Sequence, residues 1–537
     1  MPPNGSASDS SWYSAWLVGL RSWEWRTTAQ KYVDTLPAMG VAVLMIIAAY
    51  YGHPAPDPPA LYLEMARSIE QAGYGIPTTV IHHTKGGLPF AYPPLAFYTM
   101  AVLKDLTPLT YLEIATGMTW VEYVIFALVS AIFARTLFTD RTRWHHIVAS
   151  VLIVVTPAIY FWQLLQPSGS VRLMGQIFLV GGLVYGLRLF RDGEQSARLP
   201  AVVLFAGTIL SHPSYVPFFG VSYLLMYAVY DRSIKGVIWG ATVAIGGIVV
   251  TAPWWGLIVS RHGVEVFFYA AGTHGGVGAR TSVRPLLAVL LPTDGRYTPL
   301  RIWSLAIIGG LYCLLQRRWF LPLWILITSI LFQPVRFIAF VEAFLVTVAV
   351  CEVVLPTLRE HDLSLDDRPF DHIPLSRWRE FDRQLVSSVI IGVLLLGTVA
   401  MGMGFAHTNQ RTGPPPAFYD ATEWLHEETA SDTTIVSYAR TGHVAFYSQR
   451  TVLNTPWGAE WKGDGAFKRY KQQNGELRSC SRPACLSQLL TDFGYQPDYI
   501  IARTGQLDQS TFDDTQTYRP VYSNQQFVIY KYTTSIG

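Results

Sequence analysis

The chain has 537 residues, of which 50% are hydrophobic, 14% aromatic and only 14% charged; a soluble globular protein carries roughly 25% charged residues. So few charges cannot cover a water-facing surface on this length, which excludes a soluble multidomain enzyme, a disordered chain and a collagen-like fibre. The formal net charge of +3 is too small an electrostatic footprint for nucleic-acid binding, so a membrane protein with some polar mass outside the bilayer remains.

Residues 1–35 read as a cytoplasmic segment, and the mixed Ser, Trp, Arg and Glu of 10–32 predict an amphipathic helix on the inner surface. The first apolar stretch lacks a small-residue cleavage site and is read as a span, not a signal peptide. Eleven stretches are candidate spans: 36–51, 118–137, 146–165, 173–190, 199–211, 216–230, 237–259, 302–315, 319–332, 337–355 and 385–405. They define a transmembrane domain over 36–405 with external loops 52–117 and 260–300. The stretch 92–103 opens on Pro93 and Pro94 and is short, so it reads as re-entrant or interfacial. With the N-terminus inside, the loops carrying Arg135/Arg141/Arg143, Arg188/Arg191/Arg198, Arg232/Lys235, Arg317/Arg318 and the basic residues from Arg359 to Arg383 are all cytoplasmic, as basic loops should be. An odd number of spans then puts residues 406–537 outside. Their soluble composition, a helix at 423–428 and short strands at 434–438, 444–447, 499–502 and 527–532 predict a small α/β domain. The expected fold is a polytopic α-helical membrane protein with a C-terminal extracytoplasmic α/β domain, in a plasma (cell) membrane.

Of the four cysteines, Cys313 and Cys351 fall in spans, where they are small hydrophobes. Cys480 and Cys485 lie in the external domain, where a disulfide closing a small loop is the default. A metal pair is the other use of that spacing, although no nearby His or Cys cluster completes four ligands. The phosphate-loop pattern, a strand-to-helix G-x-G-x-x-G and H-E-x-x-H are all absent. If the chain does chemistry, the energy arrives in a form other than a cytosolic nucleotide.

His53 and Asp57 follow the first span, and Leu61, Met65 and Ile69 then recur every four residues. That spacing predicts a short amphipathic helix lying flat on the outer leaflet, with Asp57 where bilayer meets water. Asp57 also reads as an N-cap, Glu64 and Arg67 as a solvated i, i+3 pair, and His82 and His83 as a solvated loop pair. Glu122 and Glu342, inside spans, should each pair with a polar neighbour, Glu342 with Arg336. Trp457 and Trp461 suit either sugar stacking or a buried core.

Asp57, the run Tyr62-Leu63-Glu64-Met65-Ala66-Arg67, Tyr92-Pro93-Pro94-Leu95, the helix end Leu210-Ser211-His212-Pro213 and the tail segment Gly458-Ala459-Glu460-Trp461 together resemble the polyprenol-phosphate-sugar-dependent glycosyltransferases of the GT-C class. The protein O-mannosyltransferases and the aminoarabinose lipid A transferases are in that class. The resemblance implies transfer of a sugar, hexose or pentose, from a polyprenyl-phosphate donor to a hydroxyl of a glycan, lipid or protein acceptor at the outer face, with inversion. Asp57 would be the base, with Glu64 as a second catalytic carboxylate. Cationic side chains on the outer side, Arg172, Arg280, Arg284 and Arg336, would hold the donor phosphate, and His53, His212 and Tyr62 would support them. No cofactor is required. The family often has two adjacent acids where Asp57 is followed here by prolines, which leaves a divalent cation (Mg or Mn) as an option and its ligands unknown. Two other readings are a flippase for lipid-linked sugars, which would favour an internal repeat, and a catalytically inactive scaffold of this fold.

Overall fold

The computed structural model describes residues 33–52, 59–165, 169–273, 300–332, 335–357 and 413–533, with isolated positions between 392 and 400. Residues 1–32, His53, Asp57, Arg280, Arg284 and all but those isolated positions of the candidate span 385–405 lie outside the described residues.

Each candidate span inside the described residues is occupied by helix. In chain order these are α1 (Leu36–Gly52), α4 (Tyr111–Leu137), α5 (Arg143–Val155) with α6 (Pro157–Leu165), α7 (Gly169–Phe190), α8 (Arg198–Ser211) and α9 (Tyr215–Tyr230). They continue with α10 (Ile234–Val250) and α11 (Ala252–His262), then, after α12 (Glu265–Thr273), with α13 (Leu300–Leu315), α14 (Phe320–Leu331) and α15 (Val335–Thr357). By length and apolar character four of the described helices can cross a bilayer, or up to six if each bent pair is one span. The chain is thus a multi-pass membrane protein. The bent pairs turn by 49° between α5 and α6 and by 58° between α10 and α11. Pro157 and Pro253 sit in the first turns after the breaks, where proline removes a backbone donor and forces the bend.

The first external loop is largely helical. Helix α2 (Ala60–Gln71) packs against α3 (Leu95–Leu106), and a short antiparallel pair, β1 (Thr79–Val80) with β2 (Leu88–Pro89), lies between them in sequence. The expected apolar stripe is present, since Leu61, Met65 and Ile69 are all buried. Its partner is protein: Ala60, Leu63 and Ala66 are buried too, so the stripe of α2 packs on protein rather than facing lipid. Helix α4 begins before the expected loop boundary at residue 117. A reciprocal cap between Thr110 and Glu113 starts it at Tyr111, a signal that hydropathy alone passes over.

Residues 413–533 carry a mixed five-stranded sheet in the order β4-β3-β5-β7-β6. The strands are β3 (Thr434–Ser437), β4 (Thr451–Val452), β5 (Tyr499–Arg503), β6 (Tyr518–Ser523) and β7 (Phe527–Tyr532). Strands β4, β3 and β5 are parallel, and β7 is antiparallel to both β5 and β6. Helices α16 (Pro416–Glu428), α17 (Thr441–Ser448), α18 (Ala466–Ser479) and α19 (Pro483–Asp492) accompany it. The strand expected at 444–447 is part of α17. A four-residue apolar run cannot separate strand from buried helix by periodicity, and here Phe446 packs as a helical side chain against Tyr111. Cys480 and Cys485 form a disulfide with Cα atoms 5.9 Å apart.

Two cores matter for the site. One fills the space among α1, α4, α5, α7, α9, α14 and α15. The second joins α2, α3, β2 and the start of α4 to Trp254 and Ile258 of α11 and to Phe446 and Trp461 of the C-terminal region. The first loop, the membrane helices and the C-terminal region thus share one apolar cluster, above which the polar residues of interest meet.

Candidate functional site

Helix starts and one helix connection bring the cationic groups together. Arg172 lies in the first turn of α7, Arg336 in the first turn of α15, and His212 and Ser214 in the connection from α8 to α9. The Arg336 guanidinium donates to Ser214 Oγ at 3.0 Å and lies 5.5 Å from the Tyr215 ring. Arg336 is 7% exposed, and its Nε has no hydrogen-bond partner among the described residues. Arg172 donates to the Trp162 carbonyl at 3.0 Å and stacks on that indole at 5.2 Å. The two guanidiniums are close enough for their charges to act on one another. Among the described residues neither forms an ion pair with a carboxylate.

His212 Nδ1 accepts from the Ser214 backbone N–H at 3.2 Å and lies 2.9 Å from its hydroxyl. A ring nitrogen that accepts from a backbone N–H carries no proton, so the neutral ring bears its proton on Nε2. Burial, then the charges of Arg336 and Arg172, hold this imidazole well below its ordinary pKa. Tyr92 and Tyr215 meet its ring edge-on at 6.0 and 5.3 Å. Gly175 of α7 makes this approach possible: a Cβ there would lie 2.9 Å from the Tyr215 ring and 3.0 Å from His212 Cβ.

Tyr62 of α2 shares a hydrogen bond with Tyr92 at 3.2 Å between phenol oxygens. Burial raises the Tyr62 phenol above its usual pKa, with Arg172 and Arg336 opposing and Glu460 adding to the rise. Burial likewise raises Tyr92. Beneath them Gln163 donates to Tyr215 Oη at 2.8 Å and to Gln176. The 3-10 turn Ala459–Lys462 of the C-terminal region closes the assembly, with the buried Trp461 edge-on to Tyr92 at 5.8 Å.

Of the residues singled out from sequence, the structure brings Arg172, Arg336, His212 and Tyr62 to one place. It puts Glu64 elsewhere. Positions 62 and 64 are about 200° apart on a helix, so with Tyr62 facing the arginines Glu64 points away. It pairs with Arg67 at 3.3 Å, and Arg67 also donates to the Phe446 carbonyl at 2.8 Å and stacks on that ring. The pair is not solvated, since Glu64 is 2% exposed and burial pushes its carboxyl up to about 7, with Arg67 opposing. His83 is not a solvated loop residue either: it is buried, and burial, then His443, push its pKa down to about 3. Glu342 makes no ion pair with Arg336; six residues of helix put them on different faces. Glu122 is buried beside an apolar cavity of about 540 Å³ between α3, α4 and α7, and its Oε2 has no hydrogen-bond partner among the described residues. Trp457 is exposed and packs on Phe467.

The sequence reading missed Tyr92, Gln163, Gln176, Ser214 and Tyr215 as members of the cluster. Two amides inside otherwise apolar helices were a usable signal, because polar side chains at membrane depth are costly unless they have partners. Among the described residues no group of three or more His, Cys, Asp or Glu is placed to hold a metal ion.

The fold of the chain is shared with solved membrane glycosyltransferases of the GT-C class. The chain is similar to the aminoarabinose transferase ArnT from Cupriavidus metallidurans, with 15% identity, a TM-score of 0.54, and coverage of 91% of this chain and 96% of that one. It is similar to the archaeal oligosaccharyltransferase AglB from Archaeoglobus fulgidus, solved with an inhibitory peptide and a dolichol-phosphate, at 11% identity and a TM-score of 0.54 over 87% of this chain and 69% of that one. It also matches the arabinofuranosyltransferase AftD from Mycobacteria, at 13% identity and a TM-score of 0.57 over 93% of this chain and 41% of that one. Identities this low establish the shared fold alone. No protein-family model matches the chain, and no curated protein matches its sequence.

Proposed function

We propose that the chain is a membrane glycosyltransferase that moves a sugar from a polyprenyl-phosphate donor to an acceptor hydroxyl at the outer face of the cell membrane, with inversion at the anomeric carbon. The observation that carries this reading is the Arg172–Arg336 pair. One buried and one half-buried guanidinium, neither with a carboxylate partner among the described residues, beside the phenols of Tyr62 and Tyr92 and the Nε2–H of His212, form a donor-rich site for a phosphate. The placement of the C-terminal region outside rests on the basic loops that the same topology puts in the cytoplasm.

In the transfer, the acceptor oxygen forms a bond to the anomeric carbon while the bond from that carbon to the phosphate oxygen breaks. The acceptor proton passes to the base, assigned to Asp57, which precedes the first turn of α2 in the sequence. The leaving polyprenyl phosphate gains charge, and Arg172 and Arg336 stabilise it, since preorganised donors at the developing charge supply a large part of a rate enhancement.

Asp57→Asn and Arg336→Ala, purified in lipid nanodiscs, test the reading with a polyprenyl-phosphate sugar as donor. Asp57→Asn should retain donor binding and lose transfer, whereas Arg336→Ala should lose donor binding. Wild-type turnover by Asp57→Asn removes the base assignment. Flip of the donor across the bilayer with no glycosyl product, by the wild type, replaces the transferase by a transporter.

A further inference from the structure

In the C-terminal region, strand β3 sends the chain through α17 to β4 on one of its sides, and the return through α18 and α19 delivers β5 to the other. The order β4-β3-β5 therefore changes direction at β3. Where two neighbouring parallel strands send their connections opposite ways, the loops leaving their carboxyl ends part, and the crevice between them is where open α/β sheets take ligands. A cavity of about 520 Å³ lies at this point. It is lined by Arg440, in the loop that follows β3, and by Arg503 and Thr504 at the end of β5. Gln525 and Gln526, just ahead of β7, complete its polar wall. The Thr504 N–H donates to the Gln526 carbonyl at 2.9 Å, which seats that turn against the end of β5.

The lining selects the chemistry of the ligand. Arg503 is exposed, and its guanidinium makes no hydrogen bond or ion pair among the described residues. Arg440 adopts φ +31°, in the left-handed region that glycine tolerates and arginine rarely enters. A long cationic side chain held at a strained position on the wall of a cavity is a mark of use rather than of packing. No carboxylate lines the cavity among the described residues, so its charge calls for an anion. The threonine and the two glutamines add groups that both donate to and accept from hydroxyls. No aromatic ring lines it either, which leaves no stacking face for a nucleobase. We infer that this cavity binds an acidic saccharide, with Arg503 and Arg440 on a phosphate or carboxylate substituent and Thr504, Gln525 and Gln526 on ring hydroxyls. None of its lining residues belongs to the Arg172–Arg336 cluster. The site needs no lipid donor, so it stands or falls separately from the glycosyl-transfer reading.

Calorimetric titration of the full chain in nanodiscs tests this with glucose monophosphate, glucuronate, glucose and adenosine monophosphate. At least one of the two acidic sugars should bind about tenfold or more tightly than glucose, the effect of a charge-assisted hydrogen bond, and the tighter of the two identifies the anion. That affinity should fall as salt is raised, because the site is open to solvent. Arg503→Gln should weaken the acidic sugar about tenfold and leave glucose unchanged. Arg440→Gly should weaken it as well while holding the melting temperature, since glycine accepts the backbone that arginine strains. Both variants should bind bare polyprenyl phosphate as the wild type does, because the residues assigned to that lipid lie elsewhere. No preference for either acidic sugar over glucose overturns the inference, as does wild-type affinity in Arg503→Gln. Tighter binding of adenosine monophosphate than of both acidic sugars overturns it too, and makes the cavity a nucleotide site.

Discussion

Arg336 is tied to Ser214 by a 3.0 Å hydrogen bond, and the same serine holds His212 through both its hydroxyl and its backbone N–H. One short connection between α8 and α9 thus sets the orientation of a guanidinium from α15 and the tautomer of an imidazole. Ser214→Ala should weaken donor binding by about tenfold or more, the range of one hydrogen bond to a charged group. Arg336→Lys should weaken it by about 10- to 100-fold, because the ammonium keeps the charge and loses the planar fork. Both act through Arg336, so the double variant should fall well short of the product of the two effects. Titration of the donor lipid by native mass spectrometry reads all three.

Gly175 offers a steric test. Gly175→Val places carbon where the Tyr215 ring and His212 now stand, so donor affinity should drop about tenfold or more while the helices still form. Gly220→Ala on α9 is the control, since a Cβ there meets nothing within 4 Å and should leave binding unchanged.

The Glu64 carboxyl gives a pH signature of stability. Its folded pKa of about 7 lies above its ordinary value of 4.5, so its contribution is fully present below pH 4.5 and is lost as pH rises through about 7. Glu64→Gln should therefore melt at a higher temperature than wild type at pH 8 and at nearly the same temperature at pH 4. Because Glu64 pairs with Arg67, which in turn reaches the Phe446 carbonyl, and not with Arg172 or Arg336, the variant should keep transfer activity. Loss of transfer with unchanged melting would return Glu64 to the chemistry.

His83 should give the opposite slope. Its folded pKa of about 3 lies below the ordinary imidazole value of 6.5, so stability is lost as pH falls from 6.5 toward 3. Between pH 7 and pH 5 the wild type should lose more thermal stability than His83→Gln. The extra loss should appear first as faster hydrogen exchange in β1 and β2, which lie on either side of it.

The helices were legible because membrane spans announce themselves by length and composition. The break at Pro157 was not expected, although the proline is plain in the sequence, because hydropathy averaged over 146–165 hides it. Arg172 and Arg336 were legible as rare cations at span ends, and the structure supplies what the sequence lacked, their convergence from α7 and α15. That Glu64 and Arg67 form a buried pair rather than a solvated one was not legible, because it depends on the packing of Phe446 from the C-terminal region against Arg67. The strand at 444–447 failed because four apolar residues fit either period. Ser214 and Tyr215 carry no signal of their own; only the packing of α9 against α7 selects them.

The second apolar cluster has a practical corollary for anyone dissecting this molecule. Phe446 and Trp461 belong to the same buried assembly as Leu61, Phe97 and Met118, and Val452 is bonded through its backbone N–H to the His82 carbonyl. Excising residues 413–533 as a crystallisation fragment would strip both pieces of shared interior, leaving sticky faces on each. Chimaeras should exchange the α2–β2 excursion and the C-terminal segment as a single cassette.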